Sequence, residues 1–332
     1  MIKYSAPALK AFWTFVCERH TIWNQRFQLH LPPPWTKDPV LQRYRFTNVY
    51  RRLDRGTIFY LHNIARLSYS LEEVVFRTLV YRLFNRASTY LTLNSEGLLT
   101  PAEWRVGRAA RLLRRLRRDV GPVFTGAFMV TGSVRRGAPD KIGNYCRLIK
   151  EWKEVLPTFT VRLRQACTLK ELWCVLGELD GIGKFLAYEI ATDLDYTNYF
   201  TFSEDDFVNP GPGCRRGIDR VVRFDDLGER NYPYAGVIAE LRWHQEEFFA
   251  QYDLLFPYWN DYPLTLRDIE HSLCEFSKYM RFREALAKGV PPRGRARRFN
   301  SEEIGAHTAG GKNVSLSHRA SGKTSSKVAQ GE

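Results

Sequence analysis

Apolar residues recur at helical spacing through most of the chain, and the sequence predicts a succession of helices rather than strands. Residues 8–30 carry a partial apolar stripe of Leu9, Phe12, Phe15 and Val16, ended by Pro32-Pro33-Pro34. Asp38-Pro39 then caps a predicted long helix, VLQRYRFTNVYRRLDRGTIFYLHNI. On its wheel Arg45, Asn48, Arg51, Arg52 and Arg55 crowd one side, while Phe46, Val49, Tyr50 and Leu53 take the other. Residues 71–93 form a further, mostly structural helix rich in Val, Leu, Tyr and Phe. Thr100-Pro101-Ala102-Glu103 reads as a helix start, with Thr as cap and Glu reaching back. The helix it opens sets Arg108, Arg111, Arg114, Arg115 and Arg118 against Val106, Ala109, Leu113, Leu116 and Val120, and Gly121-Pro122 stops it. Residues 124–137 are apolar and glycine-punctuated, a connector or small hairpin. Helical periodicity returns at 142–156, 169–176 and 234–252, and in a last helix, LRDIEHSLCEFSKYMRF, capped by Thr265. The fold class read from this pattern is all-α, with residues 1–290 as one helical domain of one core or two lobes. Residues 291–332 lose almost all large apolar residues and read as a disordered basic tail.

The stretch LGELDGIGKFLAYEIATDLDYTNYFTFSEDDFVNPGPGCRRG holds the densest chemistry. Its first half predicts a helix, the turn Asp180-Gly181-Ile182-Gly183, and a second helix from Lys184, together a helix-hairpin-helix over about residues 169–195. Two glycines around one aliphatic residue allow a tight turn whose N–H groups face outward, where a helix start favours a phosphate oxygen. An ordinary helix–turn–helix corner has the same pattern. Asp205 and Asp206 follow, and either suits a pocket carboxylate or a helix N-cap. In residues 209–217 proline and glycine alternate, which predicts a shaped loop approached closely by some other group, with Arg215 and Arg216 beside it.

Charge narrows the partner. The 332 residues carry a formal +14; nine Lys/Arg against three Glu from Lys288 onward leave +8 on residues 1–287. A body that stays basic without its tail points to a polyanion, most simply nucleic acid. Asn48 amid arginines suits phosphate and base-edge contacts, and five arginines on one helix face call for an anionic partner; a solvated polar face is the plainer alternative for both. No apolar run is long enough for a membrane span, and no secretion signal precedes the first helix, so the expected location is intracellular. The six cysteines show no CxxC pair or zinc spacing, and His244 among Glu240, Glu246 and Glu247 lacks an i, i+4 ligand pair, so no metal is expected.

The hairpin resembles that of the helix-hairpin-helix DNA glycosylase superfamily, which reads Leu-Pro-Gly-Val-Gly; here Asp180 stands for the proline. The segments RYRFTNVYRRLDR, LDGIGKFLAYEIATDL, NPGPGCRRGI and LRDIEHSLCEFSKYMR are together similar to the helical domain associated with 5-hydroxymethyluracil (5-hmdU) DNA kinases. They also resemble the related alpha-glutamyl/putrescinyl thymine pyrophosphorylases of phages. The resemblance spans residues 10–285.

It implies a glycosylase-like helical fold that binds DNA carrying hydroxymethylpyrimidine-derived bases, in phage DNA hypermodification or anti-phage defence. The expected activity is a monofunctional glycosylase that flips the base and cuts with Asp206, or Asp205 if the register is shifted. Phe185 stands where bifunctional relatives place a Schiff-base lysine. Two alternatives stay open: a transferase displacing pyrophosphate from a modified thymine, and a non-catalytic reader beside a separate nucleotide kinase. No G-x-x-x-x-G-K-[ST] segment is present. Implied DNA contacts are Gly181, Gly183, Lys184, Arg45, Asn48, Arg52, Arg108, Arg111 and Arg115. Implied pocket residues are Gly211, Gly213, Arg215, Arg216, Glu270, His271 and Lys278. No cofactor or iron–sulfur cluster is expected, and the chain is expected to be a monomer.

Overall fold

Asp38 shows how local capping builds this chain: its carboxylate takes the N–H groups of Val40 and Leu41 at 2.8 Å each and starts a helix at Pro39. The computed structural model describes residues 2–125, 136–223 and 233–292. Every regular element among them is a helix, apart from isolated β-bridges. The chain is all-α, and none of these helices is long and apolar enough to cross a membrane. The predicted disordered tail falls almost wholly outside the described residues, as does most of the 124–137 connector.

The first elements are α1 (Ala6–Phe27) and α2 (Pro39–Arg43), a 3-10 turn at Arg51–Leu53, and α3 (Arg55–Tyr60), which runs into a π turn at Leu61–Ala65. The long helix predicted from residue 39 is therefore broken. Its backbone N–H groups are taken by carboxylates instead: Thr47 by Glu275 at 3.0 Å, Asn48 by Asp54 at 2.8 Å and Arg51 by Asp268 at 2.8 Å. Next come α4 (Leu71–Phe84) and α5 (Ala87–Ser95), one helix by periodicity but divided at Asn85, whose φ is 45°. The Thr100 signature makes only a single turn; the arginine-rich α6 (Val106–Asp119) starts beyond buried Trp104. Two long-range elements complete this half, α7 (Lys141–Arg164) and the hairpin pair α8 (Leu169–Leu176) and α9 (Lys184–Leu194), the latter where the sequence placed it.

Beyond the hairpin lie α10 (Pro212–Val221), α11 (Tyr234–Trp243), α12 (Gln245–Gln251) and α13 (Leu266–Ala287). Thr265 and Asp268 close a reciprocal capping box at the start of α13. The buried apolar side chains gather in two clusters. One joins α4, α6, α7, α8 and α9 through Phe76, Leu113, Ile149, Leu172 and Ile190. The other joins α1, residues 40–53, α10, α11 and α13 through Phe12, Trp13, Val40, Ile218 and Phe276. Helix α9 serves both, since its Tyr188 belongs to the second cluster.

The PGPG segment departs from its prediction. Pro212 opens α10 rather than closing a loop, because proline is accepted in the first helical turn, where its missing N–H is no loss. The group that approaches its glycines is α13. A Cβ on Gly213 would lie 2.3 Å from Cys274 Sγ, and one on Gly217 would lie 2.2 Å from the Leu273 carbonyl oxygen. Gly217→Ala must push backbone away from backbone, with an expected loss of about 3 kcal/mol at the upper end of overpacking costs. Gly183→Ala meets open space and is expected to cost under about 1 kcal/mol, as an exchange at a helix N-cap. Urea unfolding midpoints of the two variants check the contrast.

Candidate functional site

Between the two apolar clusters runs a layer of charge. Arg82, from the last turn of α4, turns its guanidinium on α9: it binds both carboxylate oxygens of Asp193, with Nη2 to Oδ1 at 2.5 Å, and reaches Glu189 at 2.9 Å. Arg51 meets the same Glu189 oxygen at 3.0 Å and also holds Asp54 at 2.6 Å. Asp193 is fully buried and Arg82 is 2% exposed, so each charge depends on its partner for the solvation it lacks. Burial alone would raise the Glu189 carboxyl, but Arg51 and Arg82 outweigh it and hold it at about 2.

From this layer a line of polar groups follows one face of α13. The Gly211 N–H, at the start of α10, donates to Glu270 Oε1 at 3.1 Å. Burial pushes the Glu270 carboxyl up to about 7; the Gly211 N–H works against this and nearby Glu189 adds to it. His271 Nε2 lies 3.5 Å from Asp54 Oδ2 and is hydrogen-bonded to the Thr47 hydroxyl. Burial lowers the His271 pKa, with Asp54 opposing, which favours the neutral ring. Glu275 binds Lys278 at 2.6 Å, and the Lys278 ammonium sits 4.8 Å over the Phe46 ring. The line therefore faces the extended residues that replaced the predicted helix.

The hairpin abuts the same place. Gly181 has φ 79°, with Leu148 packed beneath it, so glycine is required there; Gly183 caps α9 at φ −82°. Lys184 is exposed, and its carbonyl accepts Trp173 Nε1 at 2.8 Å and Asn209 Nδ2 at 3.2 Å. Of the pocket residues expected from sequence, Gly211 meets Glu270, while His271 and Lys278 lie further along the polar line of α13. Gly213 instead lies against α13, Arg215 donates to the Pro210 carbonyl at 3.1 Å, and Arg216 is exposed.

The single basic face expected of Arg45, Asn48 and Arg52 is corrected, since no continuous helix carries it. Arg45 is half-buried in extended chain. Asn48 braces the turn through its Nδ2 bond to the Leu53 carbonyl at 2.6 Å, and Arg52 pairs with Glu204 at 3.0 Å. Asp205 accepts the Leu266 N–H at 2.8 Å and Arg242 Nη2 at 2.9 Å, tying α11 to the start of α13. Asp206 is exposed and closes its own turn on the Ser203 N–H at 3.2 Å. Neither carboxylate joins the polar line. On α6, Arg108, Arg111 and Arg115 are exposed; Arg108 touches Glu96 at 3.1 Å, while Arg114 turns aside to Asp140 at 2.9 Å.

Residues 6–289 match the family described as the helical domain of 5-hmdU DNA kinase. The chain belongs to this family. Within it, a 5-hmdU DNA kinase of Bacillus phage SP10 is 32% identical over 288 residues, a match covering 80% of this chain and 44% of the relative. The chain thus spans less than half the length of that kinase. No solved structure matches it. This relationship overturns the glycosylase expectation, because the named relative is a kinase, and with it goes the base-cutting role expected of Asp205 and Asp206. Neither the pyrophosphate-displacing transferase nor the non-catalytic reader gains support from it.

Sequence reasoning passed over Arg82, Glu189, Asp193, Asp54, Thr47 and Glu275. The available signal was charge at buried-stripe positions, as in VVFRTLVYRLF and FLAYEIATDL. Replacing Arg82 by Met strands Asp193 and Glu189 without their shared partner, with an expected loss of about 3–5 kcal/mol. Denaturant unfolding of Arg82→Met checks this; a loss below 1 kcal/mol (roughly the worth of a surface pair) would remove the clamp's structural importance.

Proposed function

We propose that this chain acts in the phosphorylation of 5-hydroxymethyluracil within DNA, as the helical part that holds the DNA and presents the modified base. The observation that carries this reading is the family match over residues 6–289, which takes in every described helix. Three structural features support it. The exposed arginines of α6 suit a phosphate backbone. The open backbone at Gly183, at the start of α9, leaves room for a phosphate oxygen. The recessed polar line offers hydrogen-bonding groups to a base. Transfer to a hydroxyl is chiefly a matter of positioning and charge neutralisation, and the nucleotide is assigned to a separate binding part. More than half of the phage relative lies outside its match to this chain, enough for such a part.

The test combines the chain with the unmatched region of the phage relative, γ-labelled ATP and a duplex holding one 5-hydroxymethyluracil. Label should enter the modified nucleoside only when this chain is present, and never with thymine in its place. Release of the free base, or no transfer while both parts are folded and DNA-bound, sinks the proposal. Salt titration adds a second reading: Arg111→Ala should weaken binding and lower the slope of log affinity against log salt by about 1.

A further inference from the structure

Glu270 stands where α9, α10 and α13 converge. A methyl placed on Gly211 would lie 3.5 Å from Glu270 Oε1 and 3.5 Å from the Phe185 ring, so ring and carboxylate flank one point of backbone. Phe185 is 41% exposed. A planar group lying against that ring and over Gly211 comes within reach of the carboxylate. The Gly211 N–H is the one hydrogen bond Glu270 makes among the described residues, and it uses Oε1. Oε2 thus has acceptor capacity to spare, whereas Glu189, one turn beyond Phe185, is already engaged by two arginines.

We propose that Glu270 is the acceptor of the hydroxymethyl proton of the modified base, with the pyrimidine ring lying against Phe185. This rests on the reading of the chain as the base-holding part of a 5-hmdU DNA kinase. In the bound complex the base's O–H donates to the carboxylate. In transfer, the hydroxymethyl oxygen bonds to the terminal phosphorus of a nucleoside triphosphate and the bond from that phosphorus to the bridging oxygen breaks. The nucleoside diphosphate leaves, and the hydroxyl proton passes to Glu270. Burial sets the carboxyl at about 7, the range in which one group can both hold and take a proton at neutral pH. The charged and titratable groups around it are Glu189 and Tyr188 of α9, Cys214 of α10, Arg51 of the 3-10 turn, and Arg267 and Cys274 of α13.

Two consequences follow for recognition. Thymine brings a methyl where the carboxylate needs a donor, so a half-buried charge is left unpaired and thymine is rejected. The 5-position of a paired pyrimidine faces the major groove, but an acceptor recessed between helices is reached only by a base that has left the stack.

Binding of the full chain to matched DNAs carrying 5-hydroxymethyluracil, thymine or 5-methoxymethyluracil tests this without any nucleotide. The ether keeps the oxygen and removes the proton. Wild type should prefer the hydroxymethyl base to both others by about tenfold, the worth of a hydrogen bond to a charged group. Glu270→Ala should shrink the preference to under about twofold. In wild type the preference should grow from pH 6 to pH 8, as the carboxyl passes its value of about 7 and ionises; in Glu270→Gln it should stay flat. If Glu270→Ala does not fold, the ether and the pH profile decide on wild type alone. Equal affinity for ether and alcohol, a pH-flat preference, or an undiminished preference in the alanine variant overturns the proposal. No preference over thymine in wild type overturns the parent reading, and this one with it.

Discussion

The meeting of Arg82 and Arg51 on one oxygen of Glu189 in α9 is the contact that ties the two apolar clusters together. A guanidinium carries its five donors in one rigid plane, so it can serve two carboxylates a helical turn apart only from a fixed direction. Glu189 and Asp193 supply that pair, and Arg51 reaches the first of them from the opposite cluster. Apolar contact alone would let the halves slide against each other, since it has no direction. The ionic layer specifies one register, and the polar line along α13 inherits it through Arg51, Asp54 and His271.

Much of the fold was legible in the sequence because apolar spacing and capping are local properties. The hairpin, its positive-φ glycine and the Thr265-capped last helix all follow from a few neighbouring residues. Two of the larger failures share a cause, a deciding partner that lies far along the chain. Residues 45–51 have helical spacing, yet Glu275 and Asp268 take the N–H groups of Thr47 and Arg51. Gly213 and Gly217 read as loop formers because the backbone of α13 cannot be inferred from residues 209–217. At the site, Gly211, Glu270, His271 and Lys278 were reachable through resemblance, and the register of α13 brings the last three to one face. The arginine–carboxylate layer was not, since a charge within an apolar stripe shows its partner only after folding.

Asp205 and Asp206 show how the same residue type serves opposite ends. The turn carboxylate closes on the Ser203 N–H and the other is tied to Arg242 and the Leu266 N–H, so both are already engaged by their own surroundings. Glu270 is the reverse case, recessed and lightly bonded.

The contact between α10 and α13 carries a mechanical consequence. Where Gly217 meets Leu273, carbonyl and α-carbon touch with no side chain between them, so no rotamer is available to absorb a displacement. The two helices therefore move as one body, and the Gly211 amide stays beside α13, the helix that carries Glu270. On the proposed reading, room for a flipped base is made on the α9 side, at Phe185 and the hairpin. That side is also the one held by an ionic clamp, whose bonds can lengthen and re-form, rather than by backbone in van der Waals contact.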